Sequence, residues 1–255
     1  MLPAATHRTS MKLRHLLLLP ALAASFASAQ EIISDTFTDA LATDSLWSKN
    51  LAVVPDTGRT PGLSEDTTAG TLTFDYRATI FSNVNLPSNH QGSISFEFEP
   101  AGSELLSVGL RGSSVRDSGR YGAFYGVVLE FHQYLNQLRV MDYSATGAAT
   151  QLGAYSFDFV SGGTYSFNWK LAGSELSVSE VGGSTFDFTG VTAGAGNKLF
   201  INNSQDGAGL VLYDVSVSAI PEPATYAAVV GVFAAVAVVY ARRRQHPSPA
   251  LAGPN

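Results

Sequence analysis

Two short stretches of this sequence place pairs of ionisable side chains on one face of a predicted strand. Glu97 and Glu99 alternate with phenylalanines, and Glu130 and His132 alternate with Leu and Phe. Residues i and i+2 of a strand lie ~7 Å apart, and glycoside hydrolysis uses two carboxylates about 5 Å apart or wider. We interpret the first pair as a solvated strand face. A catalytic pair at Glu130 and His132 is the weaker alternative.

Other nucleophilic chemistry has little support in the sequence. Within residues 30–223 the only histidines are His90 and His132, and no Gly-x-Ser-x-Gly turn is present. A Ser-His-acid triad is therefore not predicted. The sequence contains no cysteine. This excludes disulfides, thiolate zinc sites and cysteine nucleophiles.

Oxygen-bearing side chains cluster at one predicted loop. Asn202, Asn203 and Asp206 lie within five residues of each other, and Ca²⁺ prefers hard oxygen ligands. We therefore mark them as a candidate calcium site, although Asn, Asp and Gly are also the residues that turns use. A weaker group lies in a long predicted loop: Asp56, Glu65 and Asp66.

The two tryptophans differ in context. Trp169 belongs to an alternating aromatic row, which predicts a core position. Trp47 follows a polar stretch in a loop-like region. An exposed aromatic ring beside polar groups suits the apolar face of a sugar, so Trp47 is the candidate carbohydrate contact, and a core position is the alternative.

Charge is distributed unevenly along the chain. All 21 acidic residues and nine of the 15 basic residues fall within 30–223, which gives 9 − 21 = −12 for this part. Nucleic-acid binding needs clustered cations. The sequence therefore argues against a nucleic-acid partner.

The middle of the chain has the periodicity of short strands. Apolar residues alternate with polar ones in Ser93–Glu99 and Thr164–Leu171, and turn residues recur about every ten positions. We predict eleven to thirteen strands, including Leu51–Val54 and Leu152–Val160, and a loop over 56–69. No amphipathic helix is predicted before residue 224. The fold class is therefore all-β, with two packed sheets.

The N-terminus has the features of a secretory signal. Basic residues after Met11 precede the apolar run 16–24, and Ala27 and Ala29 form a small-residue cleavage site. We expect 1–29 to be a leader and signal peptide, with Gln30 the first mature residue. An uncleaved signal anchor is the alternative.

The C-terminus carries a second sorting pattern. Pro221, Glu222 and Pro223 precede an uncharged run of 18 residues, 224–241, which is followed by Arg242, Arg243 and Arg244. As a helix the run would span roughly 27 Å, enough to cross a bilayer core. The positive-inside rule places the arginines and the tail 245–255 in the cytoplasm. The body, 30–219, is then exported.

Residues 220–244 resemble the PEP-CTERM sorting signal of exosortase-bearing Gram-negative bacteria. The resemblance rests on the Pro-Glu-Pro motif, the apolar run and the arginine cluster, and it covers under a tenth of the chain. It implies processing near Pro221–Pro223 by an exosortase and association with an exopolysaccharide matrix. The eleven residues after Arg244 depart from the family pattern. An ordinary C-terminal membrane anchor is the alternative.

The body resembles the concanavalin A-like jelly rolls, including laminin-G-like domains, in strand count, length and the closing strand Gly209–Val217. Hydrolases of this fold carry a Glu-x-Asp-x-x-Glu strand, which no stretch here matches. We therefore expect an exported jelly-roll-like sandwich without catalytic activity and with a structural or adhesive role in the exopolysaccharide matrix. Its expected partners are an exosortase, the inner membrane and the exopolysaccharide. A lectin-like carbohydrate-binding module is the alternative, and a glycoside hydrolase the weaker one. No cofactor is expected beyond the candidate calcium.

Overall fold

The chain forms two compact units, Gln30–Ile220 and a second made of Met1–Ala29 with Pro221–Asn255. The computed structural model describes these residues: 29–50, 61–75, 77–99, 105–113, 125–143, 149–191, 196–203, 209–221, 231–238 and 240. Everything below concerns these residues.

The first unit consists of β-strands joined by turns and loops. In chain order the strands are β1 Glu31–Asp35, β2 Trp47–Asn50, β3 Leu63–Asp66, β4 Thr71–Phe74, β5 Thr79–Ser82, β6 His90–Phe98, β7 Leu105–Gly112, β8 Gly126–His132, β9 Gln137–Tyr143, β10 Ala149–Ser156, β11 Thr164–Ala172, β12 Glu175–Glu180, β13 Thr185–Thr189, β14 Lys198–Asn203 and β15 Leu210–Ala219.

The strands form two antiparallel sheets. The eight-stranded sheet has the order β13-β12-β11-β6-β15-β4-β3, with β1 also paired to β15. The seven-stranded sheet has the order β10-β9-β8-β7-β14-β5-β2. The predicted all-β fold with two packed sheets is therefore confirmed for this unit.

The core lies between the sheets and is rich in phenylalanine. The rings of Phe96 on β6 and Phe131 on β8 have centroids 5.0 Å apart, and those of Phe131 and Phe167 are 4.8 Å apart. All three side chains are fully buried. Aromatic packing of this kind joins the two sheets across the sandwich.

The two ends of the sandwich lie side by side. Glu31 of β1 is the register partner of Ser218 of β15, and the Ala219 N–H donates to the Gln30 carbonyl over 2.9 Å. The chain therefore enters and leaves this unit at the same end.

Three sequence predictions about strands were wrong. The described residues form fifteen strands, more than the eleven to thirteen predicted. The predicted loop over 56–69 contains β3, whose residues after Leu63 are exposed; an exposed edge strand has no apolar alternation to reveal it. Strand β10 ends at Ser156, whereas we predicted a strand from Leu152 to Val160. The phenylalanines at 157 and 159 stack on each other in the aromatic core although their backbone is irregular. The predicted strand Leu51–Val54 lies outside the described residues.

The predicted sorting segments are described only in part. Helical backbone is present at 231–238, within the predicted span 224–241. No helix in the described ranges has both the length and the apolar character needed to cross a membrane. Ala27, Glu222, Pro223, the three arginines 242–244 and the tail 245–255 lie outside the described residues, so the two predicted signals stay predictions.

Candidate functional site

The outward face of the seven-stranded sheet carries an unusual set of buried polar residues. Along β8, Leu129 and Phe131 point into the core, and alternation turns Glu130 and His132 to the other side. Every residue of β8 is nevertheless buried. Burial on both faces is typical of a central strand, and here it extends to a carboxylate.

Glu130 is held by its neighbours on β9. In the register Glu130 lies opposite Arg139, and on its other side opposite Ser107 of β7. The Arg139 Nε–H donates to Glu130 Oε2 over 2.5 Å, and the Tyr143 hydroxyl donates to Oε1 over 2.7 Å. The Glu130 side chain is fully buried. Both carboxylate oxygens are therefore engaged, and the guanidinium balances the buried charge.

An apolar cluster lies beside this ion pair on the same face. It comprises Val128, Tyr143 and Phe200, with Phe81 and Met141 packed against them. The Phe81 and Phe200 rings stack with centroids 5.6 Å apart. Phe81 and Met141 are partly exposed. The face therefore combines aromatic rings with hydrogen-bonding groups.

His132 shares the face of Glu130, as predicted, and each of the two side chains has hydrogen-bond partners of its own. Burial, with a smaller contribution from the charge of Arg139, lowers the pKa of His132 to about 4, and its Nδ1 accepts a hydrogen bond from the Leu135 N–H. The Tyr134 ring lies beside it, with centroids 6.4 Å apart. Both oxygens of Glu130 are engaged, and the catalytic alternative for this pair stays a prediction.

Glu97 and Glu99 are both partly exposed, but only Glu97 lies on a strand. Glu97 lies on β6 and accepts a hydrogen bond from the Tyr213 hydroxyl over 2.6 Å. This bond, with burial and the charge of Glu97, raises the pKa of Tyr213 to about 12. Glu99 follows the end of the strand, so the two acids do not share a strand.

The expectation that Trp47 is an exposed sugar platform was wrong. Trp47 begins β2 and is 3% exposed, with its ring 6.4 Å from that of Phe37. The indole N–H donates to Asp35 Oδ2 over 2.5 Å. The region looked loop-like because the residues before it are polar, but the ring packs into the core and cannot stack on a sugar in this arrangement.

Asn202 and Asn203 lie in β14 and not in the predicted loop. Their side-chain amides donate hydrogen bonds to residues distant in the sequence. The Asn202 Nδ2 donates to the Ala78 carbonyl over 2.8 Å and to Thr79 Oγ1 over 2.7 Å. Asn203 donates to the Phe74 carbonyl over 3.3 Å. Both side chains are buried and tie β14 to the segment around β5. Asp206 lies outside the described residues, so the calcium site stays a prediction.

The weaker oxygen group is dispersed. Asp56 lies outside the described residues. Glu65 accepts a hydrogen bond from the Leu41 N–H and lies 3.9 Å from the Lys49 ammonium. Asp66 accepts hydrogen bonds from the N–H groups of the turn that follows it. Both described acids therefore have local structural partners.

One acidic group was missed at the sequence level. Oxygens of Asp35, Asp39 and Asp44 lie within 4.8 Å of each other, a set that a hard cation could occupy. Burial raises the pKa of Asp35, and its Oδ1 accepts the Phe37 N–H over 2.7 Å. Three acids within ten residues were the available signal.

No family model matches the chain, and no curated protein matches it. Solved structures do resemble it. The β-agarase A in complex with oligoagarose matches with a TM-score of 0.55 and 10% identity, over 75% of this chain and 92% of that one. The fold is a jelly-roll sandwich. A Bacillus licheniformis β-glucanase matches with a TM-score of 0.54 and 10% identity, over 75% and 99%. The Lotus tetragonolobus seed lectin matches with 0.50 and 14%, over 75% and 100%.

These neighbours confirm the predicted resemblance to jelly rolls at the level of the fold. A lectin and two glycan-degrading enzymes share this jelly roll, and fold alone does not carry function. The choice between binding and hydrolysis therefore depends on the side chains of the chain itself.

Proposed function

We propose that the jelly roll is an exported, non-catalytic glycan-binding domain that uses the outward face of its seven-stranded sheet. The observation that carries the proposal is the apolar cluster on this face, where the partly exposed Phe81 and Met141 share the face with the Arg139 guanidinium that Glu130 orients. Ligand sites commonly combine apolar lining with a few oriented polar groups. A sugar presents the matching surfaces, an apolar ring face and a rim of hydroxyls.

The same arrangement argues against hydrolysis. A glycosidase needs a second carboxylate opposite the first. Strands β7 and β14 contain no acid, and alternation on β9 places Asp142 on the face opposite to Arg139 and Tyr143, which contact Glu130. In the described part of this sheet face Glu130 therefore has no carboxylate partner on its adjacent strands, and its own oxygens are occupied.

Binding can be tested with the full chain in a non-ionic detergent by affinity electrophoresis through gels containing hydroxyethyl cellulose, laminarin or agarose. We expect retardation by at least one of these polysaccharides. Phe81→Ala should weaken it about tenfold because the variant removes a partly exposed ring from the cluster. The control is Val181→Ala, at a residue that is 61% exposed in the turn after β12, a strand of the other sheet.

Hydrolysis is tested with the same samples. We expect no release of reducing ends from these polysaccharides by the wild type. Release that disappears in Glu130→Gln would establish the hydrolase alternative. If Phe81→Ala is retarded as strongly as the wild type, this face is not the binding site.

We also propose that the domain reaches the envelope through the two terminal signals. The motif Pro221-Glu222-Pro223, the apolar run and Arg242–Arg244 support exosortase processing and a structural or adhesive role in an exopolysaccharide matrix. The mass of the protein recovered from its native envelope tests this. A mass from Gln30 to the Pro-Glu-Pro region supports it, and a mass that retains 242–255 contradicts it.

A further inference from the structure

The outward face of the eight-stranded sheet carries continuous rows of polar side chains. One row crosses six neighbouring strands, and each member is the register partner of the next. The row consists of Ser34, Ser216, Ser93, Asn168, Ser179 and Thr185. With strands ~4.8 Å apart, it is roughly 24 Å long.

A second row runs parallel to the first. Its register partners are Ser218, Gln91, Lys170, Ser177 and Asp187. Most of both rows lines an open groove of about 520 Å³. This volume falls in the range of roughly 300–1,000 Å³ that is typical of ligand sites.

The chemistry of the groove restricts its ligand. Nine outward side chains line it, all of them polar, and Lys170 is the one charged member among them. Protein interfaces place apolar and aromatic residues at their centre, and nucleic acids need several cations. Hydroxyl and amide groups, which both donate and accept hydrogen bonds, suit a neutral polyhydroxylated ligand.

The groove is also preorganised. The hydroxyl oxygens of Ser93 and Ser216 are 2.8 Å apart and share a hydrogen bond, and Ser95 and Ser166 form the same contact on this face outside the groove. Ser93 also hydrogen-bonds to Asp214. Short side chains lose little rotamer entropy when a ligand orders them. Binding to this face therefore has a small ordering cost.

We infer that this face is a second glycan site, which binds a neutral, extended polysaccharide lying across the strands. Each strand that the chain crosses presents a hydroxyl or an amide, at a spacing close to that of successive rings in an extended sugar chain. The site is on the sheet opposite to the one that contains Glu130. A domain with both sites would join two glycan chains.

The test uses the full chain in non-ionic detergent and affinity electrophoresis in hydroxyethyl cellulose, laminarin and agarose, with alginate as the anionic comparison. Gln91→Ala/Asn168→Ala removes two exposed amides from the groove. The matched control is Thr164→Ala/Thr189→Ala, which changes two exposed residues on the same face outside the groove. We expect the first variant to reduce retardation at least fivefold and the control to behave as the wild type.

The results separate the two sites. A groove variant that migrates like the wild type overturns this inference, even where Phe81→Ala confirms the site on the other sheet. If only the groove variant loses retardation, the result supports this inference and contradicts a glycan site on the other sheet. Retardation by alginate alone, abolished by Lys170→Ala, overturns the neutral ligand. No retardation of the wild type in any neutral gel overturns both sites.

Discussion

At the scale of single residues, Glu130 is a buried carboxylate that its neighbours hold in place. Its side chain is fully buried, yet it faces away from the core and has two donors, Arg139 and Tyr143. A buried carboxylate is stable only when its charge and its lone pairs are matched. The Glu130 carboxylate therefore fixes the Arg139 and Tyr143 side chains on the outward face of the seven-stranded sheet.

Removing the cation should be costly. Arg139→Met leaves the Glu130 carboxylate buried without its counter-charge, and we expect a loss of about 3 kcal/mol in the free energy of unfolding, measured with urea. Gln137→Ala on the same strand is the control, with an expected change near zero. Equal stabilities of Arg139→Met and the wild type would show that the ion pair is not needed.

Trp47 and Asp35 form a second buried polar contact. Trp47→Phe keeps most of the ring volume and removes the donor to Asp35 Oδ2. We expect a loss of about 2 kcal/mol, since a buried acceptor is left without a partner. A double-mutant cycle with Asp35→Asn measures the coupling directly. Additive effects of the two substitutions would contradict the contact.

At the scale of elements, β6 is the central strand of the eight-stranded sheet and pairs with β11 and β15 along most of its length. Gly92 is the register partner of Trp169 on β11 and of Val217 on β15. A Cβ at this position would overlap the Ser216 carbonyl oxygen and the ring of Trp169. The glycine thus permits the packing of the indole against the strand.

Gly92→Ala should therefore destabilise the sheet. We expect a loss of about 2 kcal/mol or more in thermal or chemical unfolding, because β15 or the Trp169 ring must move. Ser95→Ala, three residues further along β6 and directed outward, is the control and should cost less than 1 kcal/mol. A Gly92→Ala protein as stable as this control would show that the strands adjust freely.

At the scale of the whole molecule, one buried histidine lies in each sheet. Burial lowers the pKa of His90 to about 4; the hydrogen bond to the Pro87 carbonyl opposes this shift, and the charge of Arg111 adds a smaller lowering. The pKa of His132 is lowered to a similar value. Both histidines are therefore neutral in the folded protein at pH values where the unfolded chain already binds protons.

This difference predicts acid sensitivity. Between about pH 6.5 and 4 the unfolded state binds more protons than the folded state. The free energy of unfolding should therefore decrease as the pH is lowered, by about 3 kcal/mol for His90 alone. The raised pKa values of Asp35 and Asp214 act in the opposite sense and reduce the net loss. Urea unfolding at pH 7.5, 5.5 and 4.5 measures the slope. His90→Gln should flatten it, and an unchanged slope would assign the effect to other groups.

Much of the architecture follows from local pattern. Alternation predicted the strands around Ser93–Glu99 and Thr164–Leu171, the inward row of Trp169 and the shared face of Glu130 and His132. A two-sheet sandwich follows because such strands must bury one face. The sequence alone also indicates the acidic character of the body and the two terminal signals, since these depend on composition and order along the chain.

Register and strand order were decided only by the tertiary structure. Period-two alternation tells which residues share a face of one strand, but it does not tell which strands are neighbours. The Glu130–Arg139 pair and the hydrogen bonds of Asn202 to Ala78 and Thr79 depend on such pairing. The Trp47–Asp35 contact depends on how the two sheets pack against each other. The polar row from Ser34 to Thr185 does so most clearly, because it draws one residue from each of six strands between positions 34 and 216. Contacts of this range arise only when the sheets close around their common core.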